Sequence, residues 1–446
     1  MKVSIDGYKE ISFCALPEQD VKLREEAKEP EELAEKFPHS IPGLRSSETL
    51  ILSCDSLNSL LIIKINMASY RFLHIILLCI FTVTNGFGQA ELNTAKVIKS
   101  PGNYCGYSSD SRRFTGIPSI AVTQGGRLWA TWYSGTTPSE DSNNYIVLAT
   151  CNKKDYIWEE VLVIDPDGKG PVRAYDPEVW IDPEGKLWLF WTQNVGHGGN
   201  RYGVWYITAE DCEQKETDWG KPCRITDGVM MCKPTVLLND EWLFPISTWR
   251  YTDNSAKVYI TRDQGQNWTL QGAVNVPVQD REFDEHMIVE RQDGSLWMLV
   301  RTKYGIGESF SSDKGKTWSD LYPSKIKHTS SRFFIRRLQS GNLLLVKHGP
   351  VAVKTGRSHL MAFISKDDGK TWSKGLLIDE RLGVSYPDGQ QSSDGKIYLI
   401  YDFDRTNLQQ IISTWFTEEE ILSSNSDEKI IEIFKRRTIV NPRGDK

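Results

Sequence analysis

The chain has 446 residues, a net charge of −6, 15 Trp and 34 Gly. That length accommodates two or three average domains or one propeller, and the acidic balance excludes the basic footprint of a nucleic-acid-binding surface. Abundant Trp and Gly with repeated Asp-Gly turns favour short antiparallel strands over helices.

Residues 1–66 are rich in Glu and Lys over 22–36 and then apolar without clear punctuation. Behind them, 67–88 (MASYRFLHIILLCIFTVTNGFG) has Arg71 ahead of a mostly apolar 13-residue core, 72–84, and a small-residue exit, the layout of a secretory signal peptide. A core of 13 residues falls short of a comfortable membrane span. The expectation is therefore a signal at 67–88, no membrane insertion after its removal, and export to the periplasm or the extracellular space. Residues 1–66 are then an over-extended reading frame or a disordered extension, the alternative being a cytoplasmic extension before an internal anchor. Residues 89–446 form the working domain. Five of the eight cysteines remain in it, an odd number that excludes a complete set of internal bridges; Cys212 and Cys223 flank a short polar stretch and are the candidate pair. No Cys-x-x-Cys or His-rich spacing suggests a metal site.

One pattern recurs six times: strand, Gly or Asp-Gly turn, bulky apolar strand. The copies are GIPSIAVTQGGRLWATW from Gly116, DPEVWIDPEGKLWLFW from Asp176, CKPTVLLNDEWLFPI from Cys232, DEHMIVERQDGSLWMLV from Asp284, SRFFIRRLQSGNLLLVKH from Ser331 and SYPDGQQSSDGKIYLIYD from Ser385. Alternating residues mark the strands of the fourth copy as half-buried. The residue after each turn (Leu128, Leu187, Trp242, Leu296, Leu343, Ile397) gives intervals of 59, 55, 54, 47 and 54. A period near 50 with several short strands per unit predicts an all-β, six-bladed β-propeller. A second motif repeats in phase: Thr261-x-Asp263-x-Gly265-x-x-Trp268, Ser311-x-Asp313-x-Gly315-x-Thr317-Trp318 and Ser365-x-Asp367-x-Gly369-x-Thr371-Trp372, with degenerate copies ending near Trp158 and Trp219. In these boxes Asp and Ser hold a tight turn, Gly takes a positive φ and Trp packs between sheets. The segment 95–99 or a tail strand at 430–434 is expected to complete the seam, and a capping box at 417–420 to open one short helix.

Propeller geometry brings the residues opening each copy, and those closing the strand after each turn, to one face. Asp176, Lys233, Arg332 and Asp388 thus either bind substrate in a central cleft or form a ring of salt bridges between blades, because charges crowded at an axis need partners. Glu285 opens the fourth copy and Arg301 closes it.

The boxes and period resemble the sialidase superfamily, over about 114–416. The resemblance implies a retaining glycoside hydrolysis with a tyrosine nucleophile. By that resemblance Tyr386, eight residues before the Asp394-Gly395 turn, is the nucleophile and Glu285 its base. Arg301 and Arg357 bind the substrate carboxylate, and Glu140 or Asp141, in the loop SGTTPSEDSNNYIVL, is the acid/base group. One departure stands out: Phe114-Thr-Gly-Ile-Pro118 carries Gly116 where the family's first arginine belongs, leaving Arg112 or Arg113 to supply that charge. The implied partner is a glycan with a terminal acidic sugar, processed by a monomer with no cofactor. A different acidic or deoxy sugar, cleaved by hydrolysis or elimination, and a non-catalytic carbohydrate-binding propeller are the alternatives.

Overall fold

The computed structural model describes residues 96–100, 106–152, 156–168, 170–195, 203–423 and 426–441, with the backbone of four short strands nearer the N-terminus. The chain divides into two units, Met1–Ala90 and Glu91–Lys446. In the first, Lys2–Val3 pairs with Ile11–Ser12 and Thr49–Cys54 with Ser59–Lys64. The rest of 1–66 and the expected signal at 67–88 lie outside the described residues.

The second unit is a six-bladed β-propeller. Blade 1 runs outward from Phe114–Val122 through Leu128–Gly135, Tyr145–Cys151 and Glu159–Asp165 to Lys96–Lys99. Blade 2 has Val172–Ile181, Leu187–Val195, Gly203–Ala209 and Cys223–Asp227; blade 3 has Thr235–Val236, Trp242–Ser247, Ala256–Thr261 and Thr269–Val274. Blade 4 has His286–Glu290, Leu296–Thr302, Gly305–Ser311 and Tyr322–Pro323, and blade 5 has Phe334–Arg337, Leu343–His348, Leu360–Ser365 and Leu376–Asp379. Blade 6 closes the series with Val384–Gln391, Lys396–Phe403, Gln410–Thr417 and Thr438–Ile439. All six sequence copies are the two innermost strands of a blade. The strands of the fourth copy are not half-buried: Leu296–Thr302 is buried at every position, as is Leu128–Gly135 of blade 1. Each blade covers both faces of its neighbour's inner strands, so these strands read as apolar runs.

The seam differs from expectation. Segment 430–434 lies in the helix Asp427–Lys435, whose N-cap Ser426 accepts from Lys429 N, and Ile433 is its buried contact. A Ser-Asp-Glu start with Ile433 on one face suits a helix, not an edge strand. The preceding helix, Glu418–Leu422, has the capping box read at 417–420. Blade 1 gains Lys96–Lys99 as a fifth strand instead of lending it to blade 6. Inner-strand contacts close the ring: Ser119 Oγ and Ile120 N donate to Asp388 at 2.7 and 2.9 Å, and Gln390 bonds both N–H and C=O of Val122.

The boxes lock blades together. Ser311 Oγ donates to Asp313 at 2.8 Å and accepts from Gly315 N, while Asp313 accepts from Thr317 N and Oγ. Gly265 of blade 3 lies on Trp188 of blade 2, Gly369 of blade 5 on Trp297 of blade 4, and Trp219 stands edge-on to Trp129 at 6.0 Å. Gly265 has φ +80° and a Cβ there would stand 2.5 Å from Trp188. Gly265→Ala is therefore expected to cost about 1–3 kcal/mol in denaturant unfolding. Gly294→Ala, at φ +79° but in open space, should show only the smaller backbone share.

Cys212 and Cys223 are both free thiols. Cys212 is buried and donates to Gly185 O, whereas Cys223 is exposed on the outer strand of blade 2, so the expected pairing is not formed.

Candidate active site

A repeated backbone device aims side chains at the axis. In blades 1, 2 and 6 the inner strand breaks register between Gly116 and Ser119, Tyr175 and Glu178, and Ser385 and Asp388. At each break a residue with positive φ precedes a proline: Ile117 (+58°), Asp176 (+50°) and Tyr386 (+54°). Proline has no N–H to give the ladder, so the strand bulges there and turns out the side chain before it. A β-branched residue such as Ile117 rarely adopts this conformation, and such strain concentrates at functional sites.

Three of the expected residues meet, and this device aims one of them, Tyr386. Tyr386 Oη donates to Glu285 Oε1 at 2.9 Å, while Arg301 Nη1 donates to both Glu285 Oε1 (2.6 Å) and Tyr386 Oη (2.7 Å). All three are at most 5 % exposed. Burial is the largest influence on Tyr386 and pushes its phenol well above the usual value, against the pull of Arg301, Arg405 and Arg357. The phenol is thus held protonated, with a carboxylate in place to take its proton. Arg357 lies with its guanidinium 5.5 Å from the centre of the Tyr386 ring.

The remaining expectations separate. Asp141 is tied into its own loop, accepting from Thr137 Oγ, Asn143 Nδ2 and, at 3.0 Å, Asn143 N. Glu140 instead meets Arg405 Nη1 at 3.3 Å with its side chain 44 % exposed. Arg113 is exposed and bonds the carbonyls of Asp110 and Arg112, and Arg112 forms a two-pronged pair with Glu160 at 2.6 Å. Neither joins the tyrosine cluster. Lys233, Arg332 and Asp388 form a buried ring with Glu178: Lys233 pairs with Asp388 and Glu178, and Arg332 Nη1 lies 2.9 Å from Glu178 and Nη2 3.5 Å from Asp388. Their charges satisfy one another between blades, the ring of salt bridges that was one of the two expectations. Asp176 is buried apart from that ring, and burial together with Glu140 pushes its carboxyl well above the ordinary range.

The sequence leaves two features without a role, although Tyr133 and Arg405 both fall at strand ends expected on this face. An arc of rings runs from blade 1 to blade 4: Phe114 on Tyr133 (5.2 Å), then Tyr175, Trp249 and Phe283, with Arg301 4.9 Å from the Phe283 centroid. Arg405 is the second. It lies 4.4 Å from the Tyr386 ring centre and would collide with any side chain at position 116. Glycine inside a strand is the signal that could have found it, since it marks close approach by another group.

Residues 126–399 match the BNR repeat-like domain, more than half of the chain, and the chain belongs to that family. Its six blades share the propeller fold of solved sialidases. A sialidase of Bacteroides fragilis (strain YCH46) is 23% identical over 354 residues, 66% of this chain, and the chain spans 62% of that relative's length. Among solved structures, a Hadza microbial sialidase superposes with a TM-score of 0.58 at 16% identity, covering 73% of this chain and 69% of its own. The intramolecular trans-sialidase of Ruminococcus gnavus gives 0.58 at 13% identity, covering 74% of this chain and 99% of its own.

Proposed function

We propose that the chain is an exo-acting glycoside hydrolase of sialidase type that releases a terminal sialic acid or a related acidic sugar from glycans by a retaining mechanism. The observation that carries this reading is the Tyr386–Glu285–Arg301 cluster, in which one carboxylate oxygen receives both the phenol proton and a guanidinium N–H. As Tyr386 Oη attacks the anomeric carbon, its proton passes to Glu285, and the glycosyl–tyrosine bond forms as the bond to the leaving oxygen breaks. A neutral phenol suits a substrate whose anomeric carbon bears a carboxylate, since an anionic nucleophile would be repelled. Arg301 stabilises the developing phenolate through its 2.7 Å bond and holds Glu285 in place. Glu140, at the exposed rim, protonates the leaving oxygen and then activates the water that releases the sugar. The aromatic arc offers apolar faces for the sugar and the group it leaves.

The apolar run 72–84 behind Arg71 supports export of the mature enzyme, which acts in this reading as a monomer outside the cytoplasm. The test is incubation with a fluorogenic α-sialoside, followed by NMR of the first-formed sugar. Release with the α configuration retained is expected. An unsaturated product would replace hydrolysis by elimination, and glycan binding without turnover would make the protein a lectin-like propeller.

A further inference from the structure

At the end of the axis away from Tyr386, the inner strands of blades 2, 5 and 6 finish together. Ile181, Arg337 and Gln391 are the last residues of Val172–Ile181, Phe334–Arg337 and Val384–Gln391, and all three line a cavity of about 160 Å³. Tyr386 stands five residues before Gln391 on the same strand, so the cavity lies roughly 15 Å from the tyrosine cluster. Asp388, between them, belongs to the buried ring, whose Lys233 also borders the cavity. The ring therefore separates this cavity from the cleft.

The polar groups around the cavity are bonded, with one exception. Gln390 bonds the backbone of Val122, Gln391 Oε1 accepts from Gln339 N at 2.8 Å, and Gln339 Nε2 donates to Ser392 O at 3.2 Å. Arg337 pairs with Asp368 at 2.7 Å. Arg336 is the exception: half-buried, it donates from Nη1 to Pro234 O at 2.8 Å and has no carboxylate partner among the described residues. The neighbouring ring is neutral in itself, Lys233 and Arg332 against Glu178 and Asp388, so Arg336 adds a positive charge in excess. Burial pulls its guanidinium below the ordinary value despite those two carboxylates, as expected of a cation short of a counter-charge. Trp180, Phe334, Leu338 and Leu344 give the same cavity apolar walls.

We infer that this axial cavity binds a short-chain organic carboxylate, its acid group on Arg336 and its hydrocarbon tail on the apolar walls. A single negative charge balances the excess, and a planar carboxylate accepts two parallel N–H bonds from a guanidinium. A bare inorganic anion would leave the apolar walls uncovered. An apolar cavity of about 150 Å³ takes benzene, so an acid of about six non-hydrogen atoms fits this one. Tyr386, Glu285, Arg301 and Glu140 lie outside it, and the site is additional to the proposed activity.

Calorimetry on the full chain with acetate, butyrate, butyramide and inorganic phosphate, in a buffer free of other small anions, tests the inference. Butyrate is expected to bind about 10-fold more tightly than acetate, because two further methylenes leave water. It should also bind at least about 10-fold more tightly than butyramide, which has its shape without its charge, and more tightly than phosphate. Arg336→Met should weaken butyrate about 10- to 100-fold. Arg336→Lys keeps the charge but not the planar fork, should lose less, and carries the test if Arg336→Met does not fold. Arg357→Met, which removes a guanidinium beside Tyr386, should leave butyrate affinity within about twofold of the parent, as for independent sites. A parent that does not bind butyrate, equal affinity for butyrate and butyramide, tighter binding of phosphate, or binding lost in Arg357→Met and kept in Arg336→Met overturns the inference. Each of these outcomes leaves the proposed function standing.

Discussion

Replacing Tyr386 by phenylalanine is expected to lower kcat on a fluorogenic sialoside by on the order of 10³-fold or more while leaving the protein folded. The substitution removes one oxygen and keeps the ring, so the contacts of Arg357 and Arg405 with its face remain available. It also orphans no charge, because Glu285 and Arg301 still pair at 2.6 Å. The stability change should accordingly be about 1 kcal/mol, the share of a single hydrogen bond, with KM little altered. Glu285→Gln should produce a comparable loss of kcat for a different reason: burial holds the phenol protonated, and without a carboxylate nothing takes its proton during attack. Should Tyr386→Phe keep a tenth of the parent kcat, attack by Tyr386 is excluded. Rapid-quench mass spectrometry that finds the glycosyl group on another side chain would exclude it as well.

The sequence carried the fold in its turns and boxes because both are fixed by local chemistry. Asp-Gly closes a hairpin, and Ser, Asp and Gly complete a hydrogen-bonded corner, whatever lies around them. Outer strands such as Tyr322–Pro323 and Thr438–Ile439 are two residues long, too short for any pattern to show, and so the seam was misplaced. Resemblance placed Glu285, Arg301, Tyr386 and Arg357 at positions that the structure brings around one ring. It went astray at Arg112 and Arg113, where proximity in the chain to Gly116 stood in for proximity in space. The residue that fills the space over Gly116 is Arg405, almost 290 positions away in sequence order. Such a contact appears only once the ring has closed blade 6 on blade 1. The same closure decides between the two readings of Lys233, Arg332 and Asp388. Each opens an inner strand, and only the relative height of those strands on the axis separates a charge that faces the cleft from one sealed beneath it.

That sealed ring makes the largest stability prediction. Asp388 accepts from Ser119 Oγ and Ile120 N of blade 1, pairs with Lys233 of blade 3 and faces Arg332 of blade 5 at 3.5 Å, while its own strand belongs to blade 6. Asp388→Ala would leave Glu178 alone between two buried cations and a backbone N–H unpaired at the seam. Breaking a buried ion pair from one side typically costs about 3–5 kcal/mol, since the surviving charge keeps its desolvation penalty and loses its partner. The expected result is a loss of that size in denaturant unfolding, with the slope unchanged. Glu432→Ala, which breaks an exposed pair with Lys435 on the surface helix, should change little. Arg332→Met should be milder than Asp388→Ala, because Lys233 still serves both carboxylates and methionine fills the vacated space. If Asp388→Ala instead unfolds within 1 kcal/mol of the parent, apolar packing between the inner strands closes the ring by itself. The buried charges would then fix the mutual register of the blades, and with it the meeting of Tyr386 and Glu285, without adding to stability. Loss of turnover in a variant of parental stability would be its signature.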